Sequence, residues 1–164
     1  MPSRPLPSAL VFVLQFLSPP VLYELGLPAA IDWLAEQLES RHRLRVSVQS
    51  DSALSTLDDE LSALLFRAVR ELLTNVVKHA NTATASVTLR REVNDLCVTV
   101  QDGGDGFDPS RLHNYEATDG FGLFSVSEQI TRLGGSFDVA TRPGHGAKIT
   151  LRVPLGDHKS DFPP

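Results

Sequence analysis

Residues 83–102, ATASVTLRREVNDLCVTVQD, decide the fold class of this chain. Two runs of alternating residues, ATASVTLRRE and DLCVTVQD, are separated only by Val93-Asn94, which predicts an antiparallel hairpin. Residues 135–155, GSFDVATRPGHGAKITLRVPL, repeat the pattern about a turn at Arg142-Pro143-Gly144. Strands that return by hairpins do not fit a doubly wound parallel sheet, whose strands are joined by helical crossovers. The expected fold is therefore α+β: a two-layer α/β sandwich with a mixed, mostly antiparallel sheet and helices on one face. No internal repeat is visible.

Working outward, RLRVSVQS (43–50) alternates as a further strand. A long helix is predicted from about residue 58 to 80, with Leu64, Leu65, Ala68, Val69, Leu72, Val76 and Ala80 on its apolar arc. Another helix is predicted from Pro20 to about residue 39, and a short apolar one at 8–18, stopped by Ser18-Pro19-Pro20. Residues 103–122 are glycine-rich and polar and read as a loop. FGLFSVSEQITRLGG (121–135) reads as a helix that starts near Leu123 and is ended by Gly134-Gly135. The tail GDHKSDFPP is polar.

The chain has 164 residues, 41% hydrophobic and 21% charged, with a net charge of −5. That suits one ordinary globular domain and gives no basic stripe for nucleic acid. Cys97 is the single cysteine, so no internal disulfide can form, and its place in LCVTV suits a small buried hydrophobe. The apolar run ALVFVLQFL is interrupted by Gln15 and is shorter than the ~20 residues a membrane-spanning helix needs. It reads as the end of a helix rather than a signal peptide.

Four local features carry chemistry. Glu71, Asn75 and Lys78 fall within about 60° of one another on an ideal helix and form a polar ridge beside the apolar arc. The same residues also fit a plain solvated helix edge. In DGGDGF (102–107), Asp102 ends a strand and Gly104 and Gly106 follow at two-residue spacing, so backbone can approach a ligand closely. A carboxylate there can accept from the exocyclic amine of a purine, and the stretch equally fits a plain turn. In DGFGLFSV (119–126), Gly120 and Gly122 feed a helix N-terminus, which suits phosphate and also a flexible helix start. In RPGHGAKIT (142–150), a glycine pair precedes a strand bearing Thr150, with a Pro-Gly turn as the simpler account.

In this order and spacing the four features resemble a known domain. ELLTNVVKHA (71–80) resembles the N box of the ATP-binding domain of sensor histidine kinases, DGGDGF its DxGxG box, GFGL (120–123) its GxGL box, and RPGHGAKITLRVPL its closing hairpin. That domain belongs to the wider group of gyrase, Hsp90, MutL and histidine kinases, which share the Bergerat ATP-binding fold. The likeness covers roughly residues 43–155. Upstream, FLSPPVLYELGLPAAIDWLAEQ (16–37) resembles the junction before the ATPase domain in the NarX/DegS-like branch, whose short lid matches the few residues from Asp108 to Asp119.

The resemblance implies ATP and Mg²⁺ as cofactors. It implies that Asn75 holds the metal at the phosphates, and that Glu71 orients a metal-bound water or assists as a base. Lys78 would face phosphate oxygens, and His79 would make a phosphate-side or structural contact. Asp102 would accept from the adenine amine, with Gly106 close to the base and Gly104 of the same box counted among the nucleotide-binding residues. Gly120 and Gly122 would close the phosphate side, Leu123 of the same box is counted among the nucleotide-binding residues, and Thr150 would support adenine through water. The acceptor histidine of this branch lies in a pattern like ARELHD, and none of His42, His79, His113, His145 or His158 stands in such a context. The acceptor is therefore expected on a dimerisation domain absent from this chain, with residues 1–20 as a remnant of its second helix, 21–156 as the catalytic domain and 157–164 as a flexible tail. The expected partners are that domain and a response regulator, in a full-length homodimeric kinase acting in the cytoplasm. The alternative is an anti-sigma-type serine kinase of the same fold that captures a partner protein.

Overall fold

The computed structural model describes residues 18–51, 54, 57–110 and 121–156. The elements run α1 (Pro20–Leu25), α2 (Leu27–His42), β1 (Arg45–Ser50), α3 (Asp59–Asn75), a π-turn (Val76–Ala80), β2 (Thr84–Glu92), β3 (Asp95–Asp102), α4 (Phe121–Arg132), β4 (Ser136–Thr141) and β5 (Ala147–Pro154). The helix expected at 8–18 and the polar tail fall outside the described residues, as do residues 111–120.

Both predicted hairpins form. The sheet order is β1-β2-β3-β5-β4. β1 and β2 pair in parallel through the crossover made by α3, and every other pairing is antiparallel. The alternation places Val87 and Leu89 of β2, Leu96, Val98 and Val100 of β3, and Ile149, Leu151 and Val153 of β5 on one face, all buried. The register joins them across strands, as in Val87–Val100–Ile149 and Leu89–Val98–Leu151. The other face carries Thr88, Thr99 and Thr150 in one row. One apolar face needs one layer of helices, which is the two-layer sandwich expected.

α3 starts where Asp58 accepts from the Leu61 N–H at 2.8 Å, satisfying an otherwise orphaned donor. Its apolar arc, including Leu65, Phe66, Val69, Leu72 and Leu73, is buried against the sheet. Fully burying a side chain of this kind contributes about 1.5–3 kcal/mol, so this arc sets where α3 lies. The helix predicted from Pro20 to about 39 is instead two. Gly26 adopts φ 90°, which ends α1, and Pro28 opens the first turn of α2.

Candidate functional site

Asp102 belongs to the same inward row as Leu96, Val98 and Val100, but it is the last residue of β3. Its register neighbours are Ala85 on β2 and Ala147 on β5. Two small side chains beside a carboxylate leave room that a pair of leucines would fill. The result is a cavity of about 250 Å³ lined by Leu72, Asn75, Val76, His79, Ala80, Asp102, Gly106, Phe107, Leu123, Ala147 and Ile149. Its walls are mostly apolar, and Asn75, His79 and Asp102 are the polar groups, a composition usual for small-molecule sites.

Asp102 is 9% exposed and its Oδ1 accepts from the Gly104 N–H at 2.8 Å. No buried side-chain polar atom among the described residues lacks a partner, so Oδ2, which makes no such bond, remains reachable from the cavity. The following loop is held from both sides. The Asp105 N–H donates to the Ala80 carbonyl at 2.7 Å and the Gly144 N–H to the Asp105 carbonyl at 2.6 Å. The Phe107 N–H donates to Oγ1 of Thr141 at 3.1 Å, and that hydroxyl donates to the Gly146 carbonyl at 2.8 Å.

The two loop glycines do different things. Gly106 takes φ 61° and lines the cavity, and a Cβ there would press on the Gly146 carbonyl oxygen at 2.7 Å. Gly104 faces protein instead of ligand: a Cβ there would lie 2.8 Å from both the carbonyl carbon and the Cβ of Ala80. The end of the π-turn fills the side on which a Gly104 side chain would stand, which is why glycine is needed there.

The π-turn also rearranges the ridge. In an α-helix Lys78 would continue the line of Glu71 and Asn75. From Val76 to Ala80 the turn is wider, so each residue advances through a smaller angle. His79 is carried back onto the line of Asn75 and Lys78 falls off it. Asn75 and His79 line the cavity and Lys78 does not, although Lys78 and His79 are both exposed. The expected place of Lys78 beside phosphate oxygens concerns the rim outside this cavity.

Glu71 lies in a neighbouring cleft between α3 and α4, with Arg67, Arg70, Gly122, Ser125 and Gln129. Burial pulls the Arg70 guanidinium below its ordinary pKa; the nearby Glu71 carboxylate opposes that shift and Arg67 adds to it. Leu123, in the first turn of α4, lines the cavity. Gly120 lies outside the described residues. Thr150 is corrected: its register partners are Thr99 and Asp138 on the outer face, whereas Ala147 and Ile149 point inward and line the cavity. These two, with Leu72, Val76, Ala80 and Phe107, are lining residues that the motif reading missed. The alternation of β5 was the signal that could have found Ala147 and Ile149.

No group of three or more His, Cys, Asp or Glu side chains arranged to hold a metal occurs among the described residues. Besides the imidazole of His79 and the carboxylate of Asp102, the ridge offers an amide oxygen at Asn75 and, in the neighbouring cleft, a carboxylate at Glu71. One or two such oxygen donors suit Mg²⁺, which keeps several waters and takes the rest of its shell from phosphates.

A family model for histidine kinase-, DNA gyrase B- and HSP90-like ATPases matches residues 60–157. The chain is 30% identical over 141 residues to the oxygen sensor histidine kinase NreB of Staphylococcus carnosus strain TM300, covering 86% of this chain and 40% of that protein. It is 33% identical over 144 residues to an uncharacterized sensor-like histidine kinase of Chloroflexus aurantiacus, covering 85% of this chain and 24% of that protein. The chain thus spans less than half the length of these curated relatives. Among solved structures, the blue-light activated histidine kinase of Erythrobacter litoralis EL346 shares the fold, with a TM-score of 0.72 at 24% identity over 91% of this chain and 48% of that one.

Proposed function

We propose a function from one premise: the chain belongs to the family of histidine kinase-, DNA gyrase B- and HSP90-like ATPases. On this reading it is the ATP-binding catalytic domain of a two-component sensor histidine kinase. The observation that carries the proposal is the cavity itself. A buried carboxylate ends the core-facing row of β3 with one oxygen open to an apolar slot, and Asn75 and His79 stand on the facing helix. An apolar slot with one acceptor suits a flat base bearing an amine.

Adenine lies between the apolar walls at Leu72, Val76, Leu123 and Ile149, with its amine on Oδ2 of Asp102. The Gly104 N–H fixes the orientation of that carboxylate by holding Oδ1. The polar ridge and the first turn of α4 receive the phosphates, because a helix N-terminus offers unpaired N–H groups and a positive dipole end. Asn75 would hold Mg²⁺, with Glu71 one turn earlier on α3 as the second oxygen donor. When bound, the ion supplies charge neutralisation at the phosphates. The protein's own share in phosphoryl transfer is positioning and a fixed electrostatic environment. The phosphoryl acceptor on this reading is a histidine of a dimerisation domain, with a response regulator downstream, and the reaction is cytoplasmic.

Calorimetric titration with ATP, with and without Mg²⁺, tests the proposal. Wild type should bind ATP and bind it more tightly with the ion. Asp102→Ala should lose adenine recognition in both conditions, and Asn75→Ala should lose mainly the gain from Mg²⁺. Undiminished binding by both variants would contradict the assigned roles.

A further inference from the structure

Gly122 stands inside a helix, where glycine is a poor choice, and its backbone does not require glycine: it is absent from the positions with positive φ. What occupies the place of its missing Cβ is a side chain from another helix. A Cβ added at Gly122 would overlap Oε1 of Glu71 and lie 2.5 Å from its Cδ and 2.7 Å from its Cγ. The whole carboxylate arm of Glu71 rests on the bare Cα. On the other sides of the same cleft stand Arg67, Arg70, Ser125 and Gln129. Arg67 lies one turn before Glu71 on α3, at the spacing that lets the two side chains meet.

We infer that Gly122 is a positioning residue for Glu71, leaving in the first turn of α4 the socket that holds this carboxylate beside the ridge of Asn75. The motif reading gave Gly122 to the phosphates; the contact gives it to the glutamate. The two accounts differ in what an added methyl group does. A methyl facing a nucleotide weakens nucleotide binding under all conditions. A methyl in the socket displaces Glu71 and removes only what Glu71 contributes. The second statement rests on the kinase reading, in which Glu71 serves the metal-bound phosphates.

The test is a set of ATP titrations with and without Mg²⁺ on wild type, Gly122→Ala, Glu71→Asp and the double variant Gly122→Ala/Glu71→Asp, with a thermal melt of each chain. Displacing a group that orients a metal's ligands typically costs about 10–100-fold in metal affinity. Gly122→Ala is therefore expected to lose about tenfold or more of the affinity gained from Mg²⁺ while keeping its metal-free ATP affinity. The aspartate, one methylene shorter, is expected to restore most of that gain in the double variant. Equal weakening with and without Mg²⁺, or no rescue by aspartate, overturns the inference. The melts decide the contact without nucleotide, with Glu71→Ala and Gly122→Ala/Glu71→Ala added to the set: alanine is the better helix former, so Gly122→Ala should raise the midpoint in the Glu71→Ala chain and raise it less, or lower it, in the Glu71 chain. An equal change of midpoint in both chains, or failure of both to fold, overturns it as well. A wild type that binds no ATP at all would instead defeat the functional reading, leaving the melt cycle to judge the contact.

Discussion

The identity of the base should be set by one atom, Oδ2 of Asp102, and an exchange of acceptor for donor tests it. Oδ1 is committed to the Gly104 N–H at 2.8 Å. In Asp102→Asn the amide oxygen can keep that bond, so the loop stays anchored and the NH₂ group takes the place of Oδ2. The adenine amine then meets a donor in place of a charged acceptor. A hydrogen bond to a charged group contributes about 1.5–3 kcal/mol net, and its loss leaves the amine unpaired in a largely apolar slot. At 1.4 kcal/mol per factor of ten, the variant should bind ATP roughly 10–100-fold more weakly. Inosine triphosphate carries a carbonyl where adenine has its amine, so the amide should accept it better than the carboxylate does. Wild type is expected to prefer ATP strongly and the variant to narrow or invert the preference. Competition against a fluorescent nucleotide measures both ratios, and circular dichroism confirms that the variant is folded. An unchanged ratio of ATP to inosine triphosphate affinity in Asp102→Asn would refute the reasoning.

Other outcomes follow from the same structure. Asp58→Ala removes the cap of α3 and should cost roughly 1 kcal/mol, seen as a lower unfolding midpoint in urea with ATP affinity unchanged. Leu72→Ala opens the core and the cavity wall together, so it should cost about 2–5 kcal/mol of stability and also weaken ATP binding. Gly104→Ala presses a methyl group on the Ala80 backbone and should destabilise the protein by about 1–3 kcal/mol, read by thermal melt without nucleotide. Thr150→Ala lies on the outer face and should leave ATP affinity as in wild type.

The sheet was legible because its strands alternate and return through short turns. Nothing beyond the period of two was needed to place Val98, Val100, Ile149 and Leu151 on one face. Asp102 was legible as the polar end of such a run. The same period, carried along β5, sends Ile149 inward and Thr150 outward, so the error at Thr150 came from trusting a motif over the alternation. The π-turn was not legible. Five residues are too few to show a change of period, and the apolar pattern of α3 runs smoothly into Val76 and Ala80. His79 joins Asn75 in the cavity at the i, i+4 spacing that any helix face offers, so its place was open to a reading of the stripe Leu72, Asn75, Val76, His79 and Ala80. Gly26 and Pro28 together announced the break between α1 and α2, but the apolar spacing across them suits one continuous helix. The contacts of Gly104 with Ala80 and of Gly122 with Glu71 join elements distant in sequence, and glycine spacing alone does not distinguish a ligand from a neighbouring helix.

The central claim is that the slot beside Asp102 is a nucleotide site, and a crystal structure of this chain with a non-hydrolysable ATP analogue and Mg²⁺ tests it most directly. The account predicts the base between Leu123 and Ile149 with its amine on Asp102, and the phosphates at Asn75 and the start of α4. An analogue bound elsewhere, or a slot still filled only by solvent at saturating analogue, would contradict it.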